Sequence, residues 1–399
     1  MHARQNGNAQ AAPLAAGRLV RWALAASTMA VTLGAGLALP ATAADAAPTP
    51  LYTLALGDSL AAGVGASTTA NRYVNVLAAH EANRFPGLQL VNDACGGATT
   101  TSVIYGPGCS YTTGTQLGDV EAFLRTHPGQ VPYVTIDIGG NNVDGCLSGL
   151  TVNAACVTSG LAHITTELPQ ILSGLDAAYP GLVVYGMNYY DPFLGLWLTG
   201  PSGQTLAQQS QSLVVTLNAL LTQLDAAGGA ATADVATTFQ TTDFNPTGTY
   251  LGVTEPQNVA DVCNWTLFCS GGGNIHANNT GHALMAQAFA QVIDNLNIVT
   301  SALPGAARGT AYGPVRLVAA GQGVSSSPHA TALTWAKVAL PKGLRLSRTG
   351  VLSGTPSKKL AAGPTTVTVQ VTETVTMVSG RSKSRTKSTV KATIPLTVT

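Results

Sequence analysis

Charge is the scarcest property of this sequence. Asp, Glu, Lys and Arg make up 9 % of its 399 residues, against roughly a quarter in an ordinary soluble protein. Disorder does not follow, because 45 % of the residues are apolar and supply a core. From residue 45 to residue 300 there is no lysine at all: three arginines (Arg72, Arg84 and Arg125) stand against 17 acids, a net of −14. Residues 301–399 reverse this, with 13 basic residues and the single acid Glu373, a net of +12. Two modules explain the reversal most simply, with a border in the stretch 300–314. No Cys-x-x-Cys pair occurs, and the histidines near the cysteines lie in another context, which argues against zinc; the site chemistry read below needs neither a metal nor an organic cofactor. Beyond the N-terminus no apolar run is long enough to suggest a membrane span.

The N-terminus reads as a secretory signal peptide over residues 1–46. Arg4, Arg18 and Arg21 precede an apolar run from Trp22 to Leu39, followed by Ala-x-Ala exits at 41–43 and 44–46. That reading predicts a secreted, extracellular protein. Six cysteines suit an oxidising compartment. Six allow 15 pairings, but their grouping in close couples favours Cys95 with Cys109, Cys146 with Cys156 and Cys263 with Cys269.

The first half alternates apolar runs with segments of helical spacing. Strands are predicted at 51–56, 88–92, 131–138, 182–187 and 233–239, and a last helix at about 279–296. Strands alternating with helices predict a parallel sheet covered on both faces, where ligands bind at the carboxyl ends of the strands. The second half alternates threonine with valine at period two, in "TTVTVQVTETVTMV" and "TVKATIPLTVT". Gly and Pro turns separate its shorter runs, which predicts a small all-β sandwich. Its basic cluster "GRSKSRTKSTVK" would attract an anionic cell-wall polymer or membrane surface. No stacking aromatics accompany the cluster, which speaks against nucleic acid.

Polar motifs fall where the predicted strands end. Gly57-Asp58-Ser59 follows the first, "NDACGGATT" with Gly97 the second, and "IDIGGNNVDGC" with Asn141 the third. "GGGNIHANNTGH" sets His276 just ahead of the last helix. Acyl transfer needs a hydroxyl nucleophile, a base, and donors where charge develops on the carbonyl oxygen. Ser59 and His276 are the candidate catalytic pair, with an oxyanion hole from Ser59, Gly97 and Asn141. Taken singly, each piece also reads as a turn, a loop or a helix cap.

In order, the four stretches resemble the SGNH hydrolases, also called GDSL esterases and lipases. "LGDSLAAGVGA" matches the nucleophile block, "NDACGGATT" and "GGNN" the oxyanion blocks, and "IHANNTGHALMA" the histidine block. Six cysteines in close couples are similar to the secreted bacterial branch. The resemblance implies a flavodoxin-like three-layer α/β fold over about residues 47–299 and a serine ester hydrolase acting on lipid or acetylated-polysaccharide esters. "LPKGLRLSRTGVLSGTP" resembles the signature of immunoglobulin-like accessory domains, placing one at 317–399 after a linker at 300–316. Two positions depart from the family pattern: Asn142 replaces an Asp, and Gly273 stands where an Asp would orient the histidine. The expected consequence is a Ser–His dyad whose His276 is held by the Gly273 carbonyl. Asn274 or a distant acid such as Asp261 is the substitute. A degenerate hydrolase serving wall binding or adhesion is the contrasting reading. Six aromatics (Tyr189, Tyr190, Phe193, Trp197, Trp265 and Phe268) are candidates for an acyl pocket.

Overall fold

The computed structural model describes residues 50–148, 151–298, 300, 303–317, 319–320, 329–379 and 382–399; the expected signal peptide lies outside them. Five strands form the central sheet: β1 (Tyr52–Gly57), β2 (Gln89–Asn92), β3 (Val134–Asp137), β4 (Val184–Met187) and β5 (Ala231–Ala233). Their order is β2-β1-β3-β4-β5, and every pairing is parallel. Burial on both faces explains why β1, β3 and β4 read as near-continuous apolar runs.

Helices cover both faces. On one face α2 (Tyr73–Glu81) packs against the last helix of this half, Asn279–Asp294. A second layer holds α4 (Gln116–Thr126) against α5 (Ala154–Ala178), and α5 against α6 (Pro201–Ala227). The cysteines pair neighbour with neighbour, as Cys95–Cys109, Cys146–Cys156 and Cys263–Cys269. The fifth strand corrects the sequence reading: it ends at Ala233 rather than running to 239. Asp234 accepts the Thr237 N–H and caps a short helix, Val235–Thr238, which turns the chain out of the sheet.

A separate core lies after residue 296, around Trp335, Leu352, Val367, Val369, Val371, Ile394 and Leu396. Around it, among the described residues, lie a short antiparallel pair, Asn297–Ile298 with Ala319–Ala320, and two three-stranded antiparallel sheets. One joins Tyr312–Arg316, Val351–Gly354 and Leu344–Leu346; the other joins His329–Ala339, Gly363–Ser379 and Ser382–Val398. The stretch 300–316 is therefore not linker throughout, because Tyr312–Arg316 pairs with Val351–Gly354. In the signature, Gly343 and Gly354 pack backbone to backbone: a Cβ on Gly354 would sit 2.3 Å from the Gly343 carbonyl oxygen.

Candidate active site

Ser59 opens α1 (Ser59–Ala62), directly after β1. Gly57 makes the turn possible in two ways. Its φ of +136° disfavours any Cβ, and one placed there would lie 1.7 Å from Asp137 Oδ1. Asp58 Oδ1 accepts the Leu60 N–H at 2.9 Å and caps the helix that carries the serine. Its other oxygen accepts the Tyr189 hydroxyl at 2.9 Å. Asp58 is buried, and that burial pushes its pKa up to about 6. Asp137 is buried beside it, and burial followed by repulsion from Asp58 pushes that carboxyl up as well.

The loop after β3 carries the two asparagines. Asn141 Nδ2 donates one N–H to the Ala98 carbonyl at 3.0 Å, and the amide has a second to offer. Asn142 turns the other way. Its Oδ1 accepts the Thr100 N–H and its Nδ2 donates to Thr100 Oγ1, tying this loop to the start of α3 (Thr100–Tyr105). The family's usual Asp is thus replaced by an amide that clamps two loops.

His276 corrects one expectation. Its Nδ1 donates to Asn274 Oδ1 at 2.7 Å, not to the Gly273 carbonyl. The same oxygen accepts the His276 backbone N–H at 3.1 Å. A backbone N–H can only donate, so the atom facing the ring is an acceptor and Nδ1 carries the proton. The lone pair of Nε2 is thereby left free for a base. The physical reason is local, since an Asx side chain readily bonds the backbone two residues on. Gly273 instead takes φ +88° and donates its N–H to Phe268 O. Asp261 is occupied elsewhere, by Gln240 and Gln257. Burial lowers the His276 pKa, which favours the neutral ring near pH 7. His282 is buried and structural: its Nδ1 accepts the Tyr73 N–H, and its Nε2 lies 3.1 Å from Val64 O.

Ser59, Asn141 and His276 line one cleft, of about 880 Å³ counted out to the solvent. Gly97, with φ +77°, is not part of its wall. Of the six aromatic candidates, Tyr189, Tyr190 and Phe193 line the cleft, while Trp197, Trp265 and Phe268 do not. The rest of the wall is mostly aliphatic: Val157 and Leu161 from α5, and Leu213, Val214 and Leu217 from α6. Helical periodicity marks such residues as packing, so their place in the cleft is not readable from sequence.

A serine, an amide donor and an imidazole thus line one cleft at the carboxyl edge of a parallel sheet. The GDSL-like Lipase/Acylhydrolase family matches residues 55–284, more than half of the chain, and the chain belongs to that family, whose activity is ester hydrolysis of the esterase/lipase type. An Ig-domain family matches residues 297–395. Among solved structures, the chain is similar to the lipase Lip_vut3 from a goat rumen metagenome, at 19 % identity over 60 % of this chain and 96 % of that one, with a TM-score of 0.38. It is also similar to phospholipase A1 from Streptomyces albidoflavus NA297 (18 % identity, 61 % and 99 % covered, TM-score 0.40). A third likeness is to a lipase/acylhydrolase from Enterococcus faecalis (15 % identity, 61 % and 95 % covered, TM-score 0.36). Among curated proteins none matches the chain.

Proposed function

We propose that Ser59 and His276 form a dyad that hydrolyses carboxylic esters through an acyl-enzyme. The observation that carries this reading is the common cleft of Ser59, Asn141 and His276, with the imidazole held by Asn274 in the tautomer a base needs. Ser59 Oγ attacks the ester carbonyl while His276 Nε2 takes its proton. The oxyanion is met by the second N–H of Asn141 and the backbone N–H of Ser59, while Gly97, outside the cleft wall, would have to approach as the substrate binds. His276 then protonates the leaving alcohol. A water, deprotonated by the same nitrogen, releases the acid and restores the serine. Asn274 orients the ring but brings no full charge to stabilise the imidazolium. The aliphatic wall favours an ester with an apolar acyl chain.

Hydrolysis of p-nitrophenyl esters of graded chain length by the full chain tests this, beside Ser59→Ala and His276→Ala. Either substitution is expected to lower kcat/KM by on the order of 10⁴ or more, with hydrolysis favouring longer chains over acetate. Equal rates in all three proteins would leave the degenerate, binding-only reading.

Export and surface attachment complete the proposal. Among the described residues no helix is long and apolar enough to cross a membrane, and three disulfides are formed, both compatible with an extracellular protein. Arg385, Lys387 and Lys391 are exposed at alternate positions of the last strand, opposite Thr376, Thr374 and Gln370. Hydroxyl pairs Thr368–Thr393 and Thr372–Thr389 mark the same face, and Glu373 sits on the opposite, buried one. Charges spaced by about 6.8 and then about 13.6 Å along one face of a strand suit an extended anionic polymer of the cell surface. Retention on immobilised polyphosphate should fall steeply with salt, and should weaken in the Arg385→Gln/Lys387→Gln/Lys391→Gln variant. Equal retention of that variant would remove this assignment.

A further inference from the structure

Residues 188–191, the run Asn-Tyr-Tyr-Asp that leaves β4, belong to none of the four motif blocks, yet all four side chains are buried. Each reaches a different part of the molecule. Asn188 Nδ2 donates to Asp234 Oδ1, and its Oδ1 accepts the Ala236 N–H, which fixes the turn after β5. Tyr189 donates its hydroxyl to Asp58, the residue before Ser59. Tyr190 donates its hydroxyl at 2.8 Å to the carbonyl of Ile275, the residue before His276. Asp191 accepts the Ser210 hydroxyl at 2.7 Å and so holds α6.

The two tyrosines are themselves immobilised. Asn218 of α6 clamps the Tyr189 backbone from both sides, accepting its N–H at 2.9 Å and donating to its carbonyl at 2.8 Å. The Tyr189 ring lies against Gly140, where a Cβ would come within 3.0 Å of it, so the ring also touches the loop of Asn141. The Tyr190 ring stacks on Phe239 with centroids 4.5 Å apart and planes at 13°, and Phe239 meets Trp265 edge-on. Two adjacent residues on one rigid strand end therefore reach the backbone next to the serine, the asparagine and the histidine.

We propose that Tyr189 and Tyr190 are positioning residues that set the separation of nucleophile and base, Tyr189 through Asp58 and the Gly140 loop, Tyr190 through the Ile275 carbonyl. This rests on the assignment of Ser59 and His276 as the reacting pair. Nucleophile and base come from segments more than 200 residues apart, and the hydrogen bonds that join those segments directly, Ser67 to Asn279 and Val64 to His282, lie several residues beyond the reacting pair. The strand end adds a tie at Asp58 and at Ile275, each one residue from a reacting side chain. A reacting geometry displaced by about 1 Å costs on the order of 10² in rate.

The test uses the full chain with Tyr189→Phe, Tyr190→Phe and the double variant, with Tyr133→Phe as a buried tyrosine remote from the cleft. Steady-state p-nitrophenyl ester hydrolysis is measured per folded molecule, folded fraction being read from the thermal transition. Each single variant is expected to lose about 10- to 100-fold in kcat with KM within about twofold. The double variant should lose less than the product of the two, because both hydroxyls hold one distance, and Tyr133→Phe should keep its kcat. The inference is overturned if both single variants keep kcat within about twofold, if the loss lies in KM alone, or if the two losses simply multiply. Ser59→Ala and His276→Ala run alongside separate the two layers: their silence with fully active tyrosine variants refutes the positioning role alone, whereas their retained activity refutes the dyad beneath it.

Discussion

The two regions of this chain solve opposite problems with the same small residues. The first, at net −14, buries a parallel sheet between helices and leaves its chemistry to loops at one edge. Those loops need anchoring, and three disulfides and a set of buried polar bonds supply it. The second, at net +12, pairs long antiparallel strands whose side chains alternate between core and water. It contains none of the cysteines, and its polar residues lie in register rather than converging on a point. Convergence suits bond-making; a repeating ladder suits holding a repeating surface. On the function proposed above, that contrast divides the labour within the chain.

Four experiments break or sharpen that contrast. The largest effect is expected from Asn141→Ala, which should cost about 10²–10³ in kcat on p-nitrophenyl esters while leaving retention on polyphosphate unchanged. Next comes Cys95→Ser with Cys109→Ser, opening a loop of 14 residues. In calorimetry this should lower the unfolding transition of the hydrolase region by about 3 kcal/mol of stability and leave the second region's transition in place.

Raising the pH from 5 to 8 should act on the same transition. Asp58, Asp191 and Asp225 are wholly buried, and burial raises them to about 6, about 7 and about 7 from an ordinary 3.8. Each holds its proton more tightly folded than unfolded. Its contribution is therefore complete below pH 3.8 and lost as pH rises through 6 to 7. His276 and His282, lowered by burial, oppose this below their ordinary 6.5 but are outnumbered. The hydrolase transition should fall by on the order of 5 °C or more, with the second region nearly flat. The smallest effect is expected from Asn274→Asp. A carboxylate beside His276 favours the imidazolium and opposes the lowering by burial, so the acidic limb of kcat/KM should move up by up to about one pH unit. An unmoved limb would show that position 274 does not face the titrating ring.

Much of this was legible because it is contiguous. The four blocks are short runs at strand ends, and a run such as "LGDSLAAGVGA" states both its strand and its turn. The opposite charges of the two regions were equally open to counting. What escaped was whatever depends on a side chain's direction or on distant register. Asn274 and Gly273 are adjacent, and only the fold-back of one side chain gives Asn274 the histidine. Tyr189 and Tyr190 read as acyl-pocket candidates, since nothing in sequence reveals that their hydroxyls end on Asp58 and Ile275. Tyr312–Arg316 looked like linker because its partner strand begins 35 residues later, at Val351. The aliphatic wall from α5 and α6 follows the same rule, being helical packing residues that happen to face a cleft.

The most direct measurement is covalent. The full chain is treated with a p-nitrophenyl alkylphosphonate and digested, and the adduct is located by mass spectrometry, with His276→Ala treated in parallel. The account predicts one phosphonyl group, on Ser59, forming at least about 10²-fold more slowly in the histidine variant. An adduct on another residue, or labelling of Ser59 at the same rate without the imidazole, would contradict it.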